Sequence, residues 1–413
     1  MIDARTPDAT LELPLDAVVR GLGGLPASLV ERAFVWDSRR LGVARRELVV
    51  GLGAAEELTG ADLGRRSIAL LDEHPGLRVF LAMPFDPARP TSDAWPLSEP
   101  TAVLPEVLLV ADGGSTRVFL ARPTARPVFT DLLRAARSTP PPARARIVDD
   151  GVAAFRLRVD AALDAIGRGE LSKVVVLRTS ELEGDLDVGA ALAALEGAPS
   201  TLRFAVGAGS RWFLGATPEL LAQRSGGALR TEAVAGSLPR SGAEDERERS
   251  ALLGSAKDLE EHEWVVRAIR AELEATAPGA VRQGATEVRT LTRVHHLVTP
   301  LEATCAGVDL VGLVERLHPT PAMGGVPRAV ALGFLAKHES PRGLYASPIG
   351  WLDGAGDGVF AVAIRSALLA PGRARAFAGV GIVRGSEVDR EVSETRAKLA
   401  TTHAALGVRS EGE

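Results

Sequence analysis

The sequence predicts a chain of mixed helices and strands, and three observations carry that reading. Short apolar runs bounded by turn residues recur through the chain, as at Leu48 to Leu52, Val107 to Ala111 and Ala374 to Val383; these have the pattern of strands. Other stretches, 152–166 and 257–269 among them, set apolar residues three and four apart, the pattern of helices. Composition is that of an enzyme-sized globular protein: 413 residues, 46% hydrophobic and 24% charged, enough for one large domain or two.

Several classes are disfavoured at once. Net charge is −5 with no basic block, which argues against nucleic acid or an anionic membrane surface as partner. The start, Met1-Ile-Asp-Ala-Arg-Thr-Pro, lacks a charged-then-apolar signal, and no run approaches the ~18 apolar residues of a membrane span. The single cysteine, Cys305, leaves no internal disulfide and no cysteine-based zinc site. A cytoplasmic protein is the expectation. Among 48 lysines and arginines only four are lysines: Lys173, Lys257, Lys337 and Lys398. Arginine cannot give up its proton near neutrality and lysine can, so each lysine is a candidate for chemistry. Lys337, in Ala-Lys-His-Glu-Ser, reads as an ordinary surface residue.

In chain order, residues 1 to about 135 show strands at Phe34 to Trp36, Leu48 to Leu52, Val79 to Met83, Val107 to Ala111 and Arg117 to Ala121, with a hairpin turn at Gly113-Gly114-Ser115. His74, Trp36 and Trp95 read as packing or surface residues. Pro140-Pro141-Pro142 breaks any regular element and separates an N-terminal region, 1–140, from a second region, 146–410.

Val152 to Ile166 is a helix ended by Gly167. Lys173-Val-Val-Val-Leu177 is a continuous apolar run, a strand buried on both faces. A lysine at its mouth is half-buried and turned toward general-base duty, although a lysine snorkelling from a strand end is the commoner outcome. Strands follow at Leu202 to Val206, Arg211 to Gly215, Glu219 to Gln223 and Leu229 to Ala233. Thr217-Pro218-Glu219 thus sets a carboxylate at the first residue of a strand. Ala235-Gly236-Ser237 ends another, where amides beside a glycine can receive an anion.

A helix from near Asp245 leads into an acidic stretch. Val294 to Leu297 is a short strand whose adjacent histidines, His295 and His296, point to opposite faces, so only His296 faces a site. Leu313 to Leu317 enters His318-Pro-Thr-Pro-Ala-Met-Gly-Gly-Val-Pro327, too rich in proline and glycine for a helix and read as a shaped loop. Gly350 to Asp353, Val359 to Leu368 with Arg365, and Ala374 to Val383 with Gly379 and Gly381 are the last strands.

The most informative stretch is Lys257-Asp258-Leu259-Glu260-Glu261-His262-Glu263-Trp264. At about 100° per residue, Asp258, Glu261 and His262 share a side with Val265 and Ile269, the interior side. Buried anions are paired, neutralised or bound to a metal; alone, such a run is more often a solvated acidic face. The final helix, Arg390 to Leu399, repeats the pattern, with Glu391, Glu394, Thr395 and Lys398 on one face. Its plain alternative is a solvent Glu–Lys pair worth about 0.3–0.5 kcal/mol. Two such helices facing each other would build an oxygen-only cation site suited to Mg²⁺, and the lack of cysteine or a histidine pair argues against zinc.

Taken together, the motifs resemble the chorismate-utilising enzymes, the family of isochorismate, salicylate, anthranilate and aminodeoxychorismate synthases. The resemblance spans about residues 150 to 408, in one order: Lys173-Val-Val-Val-Leu, Thr217-Pro-Glu-Leu-Leu, Ala235-Gly-Ser, Lys257-Asp-Leu-Glu-Glu-His, His296-Leu, His318-Pro-Thr-Pro-Ala, Arg342-Gly-Leu-Tyr, Ile364-Arg, Gly379-Val-Gly-Ile-Val and Glu391-Val-Ser-Glu-Thr-Arg-Ala-Lys-Leu. Each is weak alone, and the ordered set is strong.

The resemblance implies an α+β fold of two packed antiparallel sheets flanked by helices, α/β/β/α. It implies one Mg²⁺ held directly by Glu261 and Glu394, with Asp258 and Glu391 supporting through water. The metal and the amides around Gly236 and Ser237 would take the ring carboxylate of chorismate. Tyr345, Arg365 and Lys398 would take the enolpyruvyl carboxylate, Arg365 with its bidentate fork, and His296, Gly379 and Gly381 would also border the substrate.

Members that add water carry a lysine where Lys173 stands, and those that use ammonia usually carry glutamine. The nucleophilic lysine often found in aminodeoxychorismate synthases within the segment matching Ala233 to Ser237 is missing here. His318-Pro-Thr-Pro-Ala322 with the Gly-Gly after it is similar to isochorismate synthases, as are Phe34-Val-Trp-Asp, Gly51-Leu-Gly-Ala-Ala and Ala102-Val-Leu-Pro-Glu.

The implied reaction is Mg²⁺-dependent conversion of chorismate to isochorismate. Lys173 would deprotonate water attacking C2, and Glu219 would protonate the departing C4 hydroxyl. A salicylate synthase, a chorismate-binding homologue without turnover and, far behind, an acidic-helix interaction protein are the alternatives. Ser347-Pro348 stand where the family commonly has glycine, and Val380 where alanine is usual. Oligomeric state is not legible, although the family includes monomers.

Overall fold

The computed structural model describes residues 7–408, apart from 44, 90, 92–94, 113, 123–127, 243 and 305–306. Cys305, Gly113 of the expected hairpin turn and the first six residues therefore lie outside the described residues. Among those described, the strands form two sheets, one of twelve strands and one of ten. Both draw on chain from either side of the triproline. Ala33–Asp37 lies beside Leu202–Ala208 in the first sheet, and Arg78–Ala82 beside Pro348–Asp353 in the second.

Strand side chains alternate between two cores, as the pleat requires. Phe34 and Trp36 join the large core, where Phe34 of the first sheet stacks on Phe80 of the second at 5.1 Å. Val35 faces the other way, into a core shared with Leu15, Val18, Leu132 and Leu192 of helices Leu15–Arg20, Val128–Arg137 and Val188–Leu195. No helix among the described residues is long and apolar enough to cross a membrane.

Two neighbouring segments pass from sheet to sheet side by side. Arg211–Thr217 belongs to the first sheet and Leu220–Ser225 to the second. Returning, Gly358–Val362 belongs to the second and Ser366–Ala370 to the first. The two segments pair antiparallel on both sides of the gap, and Val362 N–H to Glu219 O (3.1 Å) and Ala216 N–H to Arg365 O (3.2 Å) lace the crossings together. Val359 to Leu368 is therefore two strands, not the single one expected. Arg365 sits in the left-handed region, φ 54°, at a cost of roughly 1–2 kcal/mol. The residues on either side are uniformly apolar, so hydropathy does not register the change of sheet.

Other boundaries also differ from expectation. Glu219 precedes its strand, which begins at Leu220. Ala235-Gly236-Ser237 does not end a strand: Ala228–Pro239 continues through it with a bulge at Gly236, φ 74°. The short strand at Val294 extends to Thr304, and Leu310–Leu317 is a helix capped by Asp309. Asp245–Leu253 ends at Gly254, and a new helix, Ala256–Thr276, begins behind Ser255, whose hydroxyl accepts from Asp258 N–H (3.3 Å).

The proline-rich loop ends in a two-residue strand, Gly325–Val326, paired with Lys173 and Val174 at the start of the 13-residue strand Lys173–Asp185. A buried ion pair ties the same region down. Arg342 donates to Glu339 (2.8 Å), Met323 O (2.9 Å) and Val175 O (2.6 Å), while Glu339 accepts from Leu177 N–H (2.7 Å).

Gly325 has φ 153°, and a Cβ there would lie 2.3 Å from Lys173 O and 2.8 Å from Ala331 Cβ. Gly325→Ala is accordingly expected to destabilise the protein by roughly 2–3 kcal/mol, read as a lower urea midpoint at unchanged slope.

Candidate active site

A cleft opens between the sheets where the acidic helix, Ala256–Thr276, and the C-terminal helix, Val388–Ala405, approach strands Lys173–Asp185, Ala228–Pro239 and Arg373–Val383. About 900 Å³ there is free of protein atoms, the open mouth included. Lys173, Glu219, Gly236, Ser237, Asp258, Glu261, His296, Tyr345, Arg365, Gly379, Gly381, Glu391, Glu394 and Lys398 all line it. Three of the four lysines, 173, 257 and 398, are among the lining residues, and Lys337 lies in the last turn of helix Arg328–His338.

Lys173 is 1% exposed, more deeply buried than its place at a strand mouth suggested. Two further strands flank it: Val383 lies opposite it in Arg373–Val383 and Val326 on its other side. Its Nζ lies 2.7 Å from Glu261 Oε1. Gly381 makes room for that pair, since a Cβ there would stand 2.8 Å from Glu261 Oε1 and 2.9 Å from Lys173 Cε. Lys398 Nζ mirrors it, 2.7 Å from Glu394 Oε1 and donating to Gly379 O at 2.9 Å. Glu261 and Glu394, expected to meet at a cation, are thus each held by a lysine. An ammonium one hydrogen bond away is the cheapest neutraliser for a carboxylate short of water.

Glu219 stands at the crossing between sheets, 3% exposed, its N–H donating to Thr217 Oγ1 (3.2 Å). Burial pushes its carboxyl up to about 8, against the pull of Lys173, Lys398 and Arg289. The protonated form is therefore the one burial favours near neutrality.

Arg365, at the neighbouring crossing, donates to His296 Nε2 at 2.8 Å. Burial lowers the guanidinium to about 10 and, with Arg365 beside it, holds His296 well below the usual imidazole range. A neutral His296 that accepts at Nε2 carries its proton on Nδ1, 2.9 Å from Ser237 Oγ. The Ser237 hydroxyl then accepts from the imidazole, and its own proton points elsewhere. Tyr345 stacks on Phe377 (5.3 Å), its hydroxyl raised above the ordinary phenol range by burial. Gly379 leaves space for that hydroxyl, which lies 2.8 Å from where a Cβ would stand.

The adjacent histidines diverge as the pleat predicts. His295 is fully buried on the opposite face, between Thr290 Oγ1 (3.0 Å) and Glu248 Oε2 (3.2 Å). Among the described residues, Asp245, Glu248 and His295 are the group of three ligand-type side chains with atoms within 4.8 Å of one another, and it lies outside the cleft. Arg240 already forks onto Asp245 at 2.6 and 2.8 Å.

Inside the cleft, burial raises Asp258, which also accepts from Ser255 Oγ. Burial and then the charge of Glu394 push Glu391 up to about 7. These carboxylates form an oxygen-only donor set on two helices, of the kind a hard divalent cation takes. By donor chemistry these residues suit such an ion, although among the described residues no three of them bring ligand atoms within 4.8 Å of one another. His262, grouped with these acids by helical phase, turns to the sheet behind and meets Thr299 Oγ1 at 2.7 Å.

The family profile described as Chorismate binding enzyme matches residues 65–407. The chain belongs to this family. Within it, the isochorismate synthases are its subgroup. The chain is 38% identical over 347 residues to the salicylate biosynthesis isochorismate synthase of Pseudomonas aeruginosa, covering 78% of this chain and 72% of that one. It is 35% identical over 256 residues to isochorismate synthase MenF of Bacillus subtilis, 60% of this chain and 54% of the relative. Among solved structures it resembles MenF, the menaquinone-specific isochorismate synthase from Escherichia coli, with TM-score 0.78 and 28% identity, covering 98% of this chain and 96% of that one. Anthranilate synthase component I from Streptococcus pneumoniae, at 20% identity and TM-score 0.73 over 87% and 93% of the two chains, shares the fold.

In this chorismate-binding enzyme the residues that depart from the family pattern are well seated. Val380 is buried in the cleft wall, and Ser347, fully buried, donates to Leu344 O (2.7 Å). Sequence reading missed other wall residues, Met323, Ile364 and Phe377, and also Arg390 near the acids. Apolar side chains of strands and loops look alike in sequence whether they line a core or a cleft.

In chelator-containing buffer, Glu261→Gln should cost about 3 kcal/mol, because it leaves the Lys173 ammonium without its carboxylate. Adding Lys173→Met should recover at least half of that loss. Urea titrations of the two variants and the parent check this, and an equal or greater loss in the double variant would contradict it.

Proposed function

We propose that this cleft isomerises chorismate to isochorismate by adding water at C2 as the C4 hydroxyl leaves. One observation carries the reading: a buried lysine and a buried carboxyl, which burial pushes up to about 8, line different walls of one cleft. Lys173 rises from the first sheet and Glu219 from the crossing into the second. Addition and departure across a ring need a base and an acid so disposed.

In this reading the water oxygen bonds to C2 and its proton passes to the Lys173 amine. The C4–O bond breaks as Glu219 gives up its proton, so the hydroxyl departs as water. One group gains a proton and the other loses one, and exchange with solvent resets both. The enolpyruvyl carboxylate rests on Arg365, Tyr345 and Lys398, and the ring carboxylate on the amides at Gly236 and Ser237, whose hydroxyl has a proton to offer. Gly236 is left-handed, and a Cβ there would lie 3.1 Å from Leu297 Cδ1 and 3.3 Å from Asp258 Cβ, so the bulge holds that backbone tight to the acidic helix.

Glu261 and Glu394 would hold magnesium, with Asp258 and Glu391 behind. Its charge would neutralise the acids and fix the substrate's carboxylate. Glu261 is also the partner of Lys173, 2.7 Å away, so the metal and the lysine would share one carboxylate. The same reading places the enzyme in the cytoplasm, feeding menaquinone or siderophore synthesis.

Incubated with chorismate and Mg²⁺, the enzyme should yield isochorismate on a chromatogram; salicylate without a second enzyme would instead favour a salicylate synthase. Lys173→Ala and Glu219→Ala should each lower kcat by at least about 10³-fold with native circular dichroism, and near-full rate in either would overturn the assignment.

The pH dependence has a fixed sign. Glu219 is protonated below about 8 and ionises above it, so kcat/KM should fall about tenfold per pH unit on the alkaline side.

A further inference from the structure

Glu219 is gripped from behind. Arg289 lies on strand Glu287–Thr290, opposite His296, which is itself opposite Ser237. Paired residues of antiparallel strands share a face, so Arg289 belongs to the sheet face that carries the site, although it does not line the cleft. Its NH1 donates to Pro218 O at 2.7 Å, one peptide from Glu219. Its NH2 meets Glu232 Oε2 at 2.9 Å, and Glu232, with a side chain 3% exposed, also takes Arg230 NH2 at 2.9 Å.

A buried carboxylate of this kind is costly unless answered. Here two arginines answer it, and one of them spends its remaining fork on the turn that presents the acid. Proline has no N–H, so the carbonyl is the one backbone group by which Pro218 itself can be held.

We propose that Arg289, itself fixed by Glu232, is a positioning residue for the acid Glu219, an inference that rests on the function assigned above. Geometry and charge both pass through the pair. The arginine sets the Thr217–Glu219 turn, and its cation together with the Glu232 anion sets the field at the Glu219 carboxyl. The other charged or titratable groups facing that carboxyl are Lys173 of strand Lys173–Asp185, Lys398 of the C-terminal helix, and Arg365 and Tyr345. The two partners act oppositely: Arg289 favours the ionised acid and Glu232 the protonated one.

The test is the pH profile of kcat/KM and kcat for chorismate with Mg²⁺. Arg289→Met should move the alkaline limb up by about half a pH unit or more and lower kcat about tenfold, with KM changed less than about threefold. Glu232→Gln keeps an acceptor for Arg289 but removes the anion, so the limb should move down with a smaller loss of kcat. Arg289→Lys should keep the limb near its parent position and regain part of kcat.

Limbs within about 0.2 units of the parent in both Arg289→Met and Glu232→Gln would overturn the proposal, as would an unchanged kcat in Arg289→Met. Should Arg289→Met fail to fold, the downward shift in Glu232→Gln decides alone. A parent enzyme with no alkaline limb, or an active Glu219→Gln, would instead bring down the function assigned above.

Discussion

Charge buried between two apolar sheets must be answered by other charge, and the interior of this protein is arranged around that constraint. Lys173 answers Glu261, Lys398 answers Glu394, and Arg289 and Arg230 answer Glu232. Among the described residues Glu219 has no ion-pair partner, and burial pushes its carboxyl up to about 8 instead. An acid, a set of anion-binding cations and a group of crowded carboxylates thus arise from one rule applied at different distances. Three of the four lysines, 173, 257 and 398, line the cleft itself.

The paired crossings turn that chemistry into geometry. Glu219 and Arg365 occupy adjacent points where the chain steps from one sheet to the other, laced by backbone hydrogen bonds on both sides. Neither lies on a regular strand, and each is held by what pairs before and after it. This arrangement lets a sheet protein aim two side chains into the gap between its layers without breaking either ladder.

Much of this was legible in the sequence, for identifiable reasons. The acid pairs on the two helices showed because helical phase is rigid, so residues three apart must share a face. Lys173 showed because a lysine heading four apolar residues is conspicuous in an arginine-rich chain. His296 could be separated from His295 by the pleat alone. The Val359 to Leu368 run misled because a chain buried on both sides of a bend is apolar throughout. Burial of Lys173 was underread because the two strands that enclose it come from residues 325–326 and 373–383. Pairing of Glu261 with Lys173 was equally hidden: phase tells which way a side chain points, not what it meets there. Arg289 gave no sign, since a charged residue in a short alternating strand looks like surface.

The interleaving of early and late strands has a consequence for how the molecule comes into being. Ala33–Asp37 pairs with Leu48–Leu52 on one edge but finds its other neighbour in Leu202–Ala208, and Arg78–Ala82 pairs with Thr101–Leu104 but finds its other neighbour in Pro348–Asp353. On the ribosome, the first third must therefore wait with open sheet edges until nearly all of the chain has emerged. Such a topology folds slowly and exposes adhesive edges meanwhile, so the nascent enzyme is a natural client for chaperones.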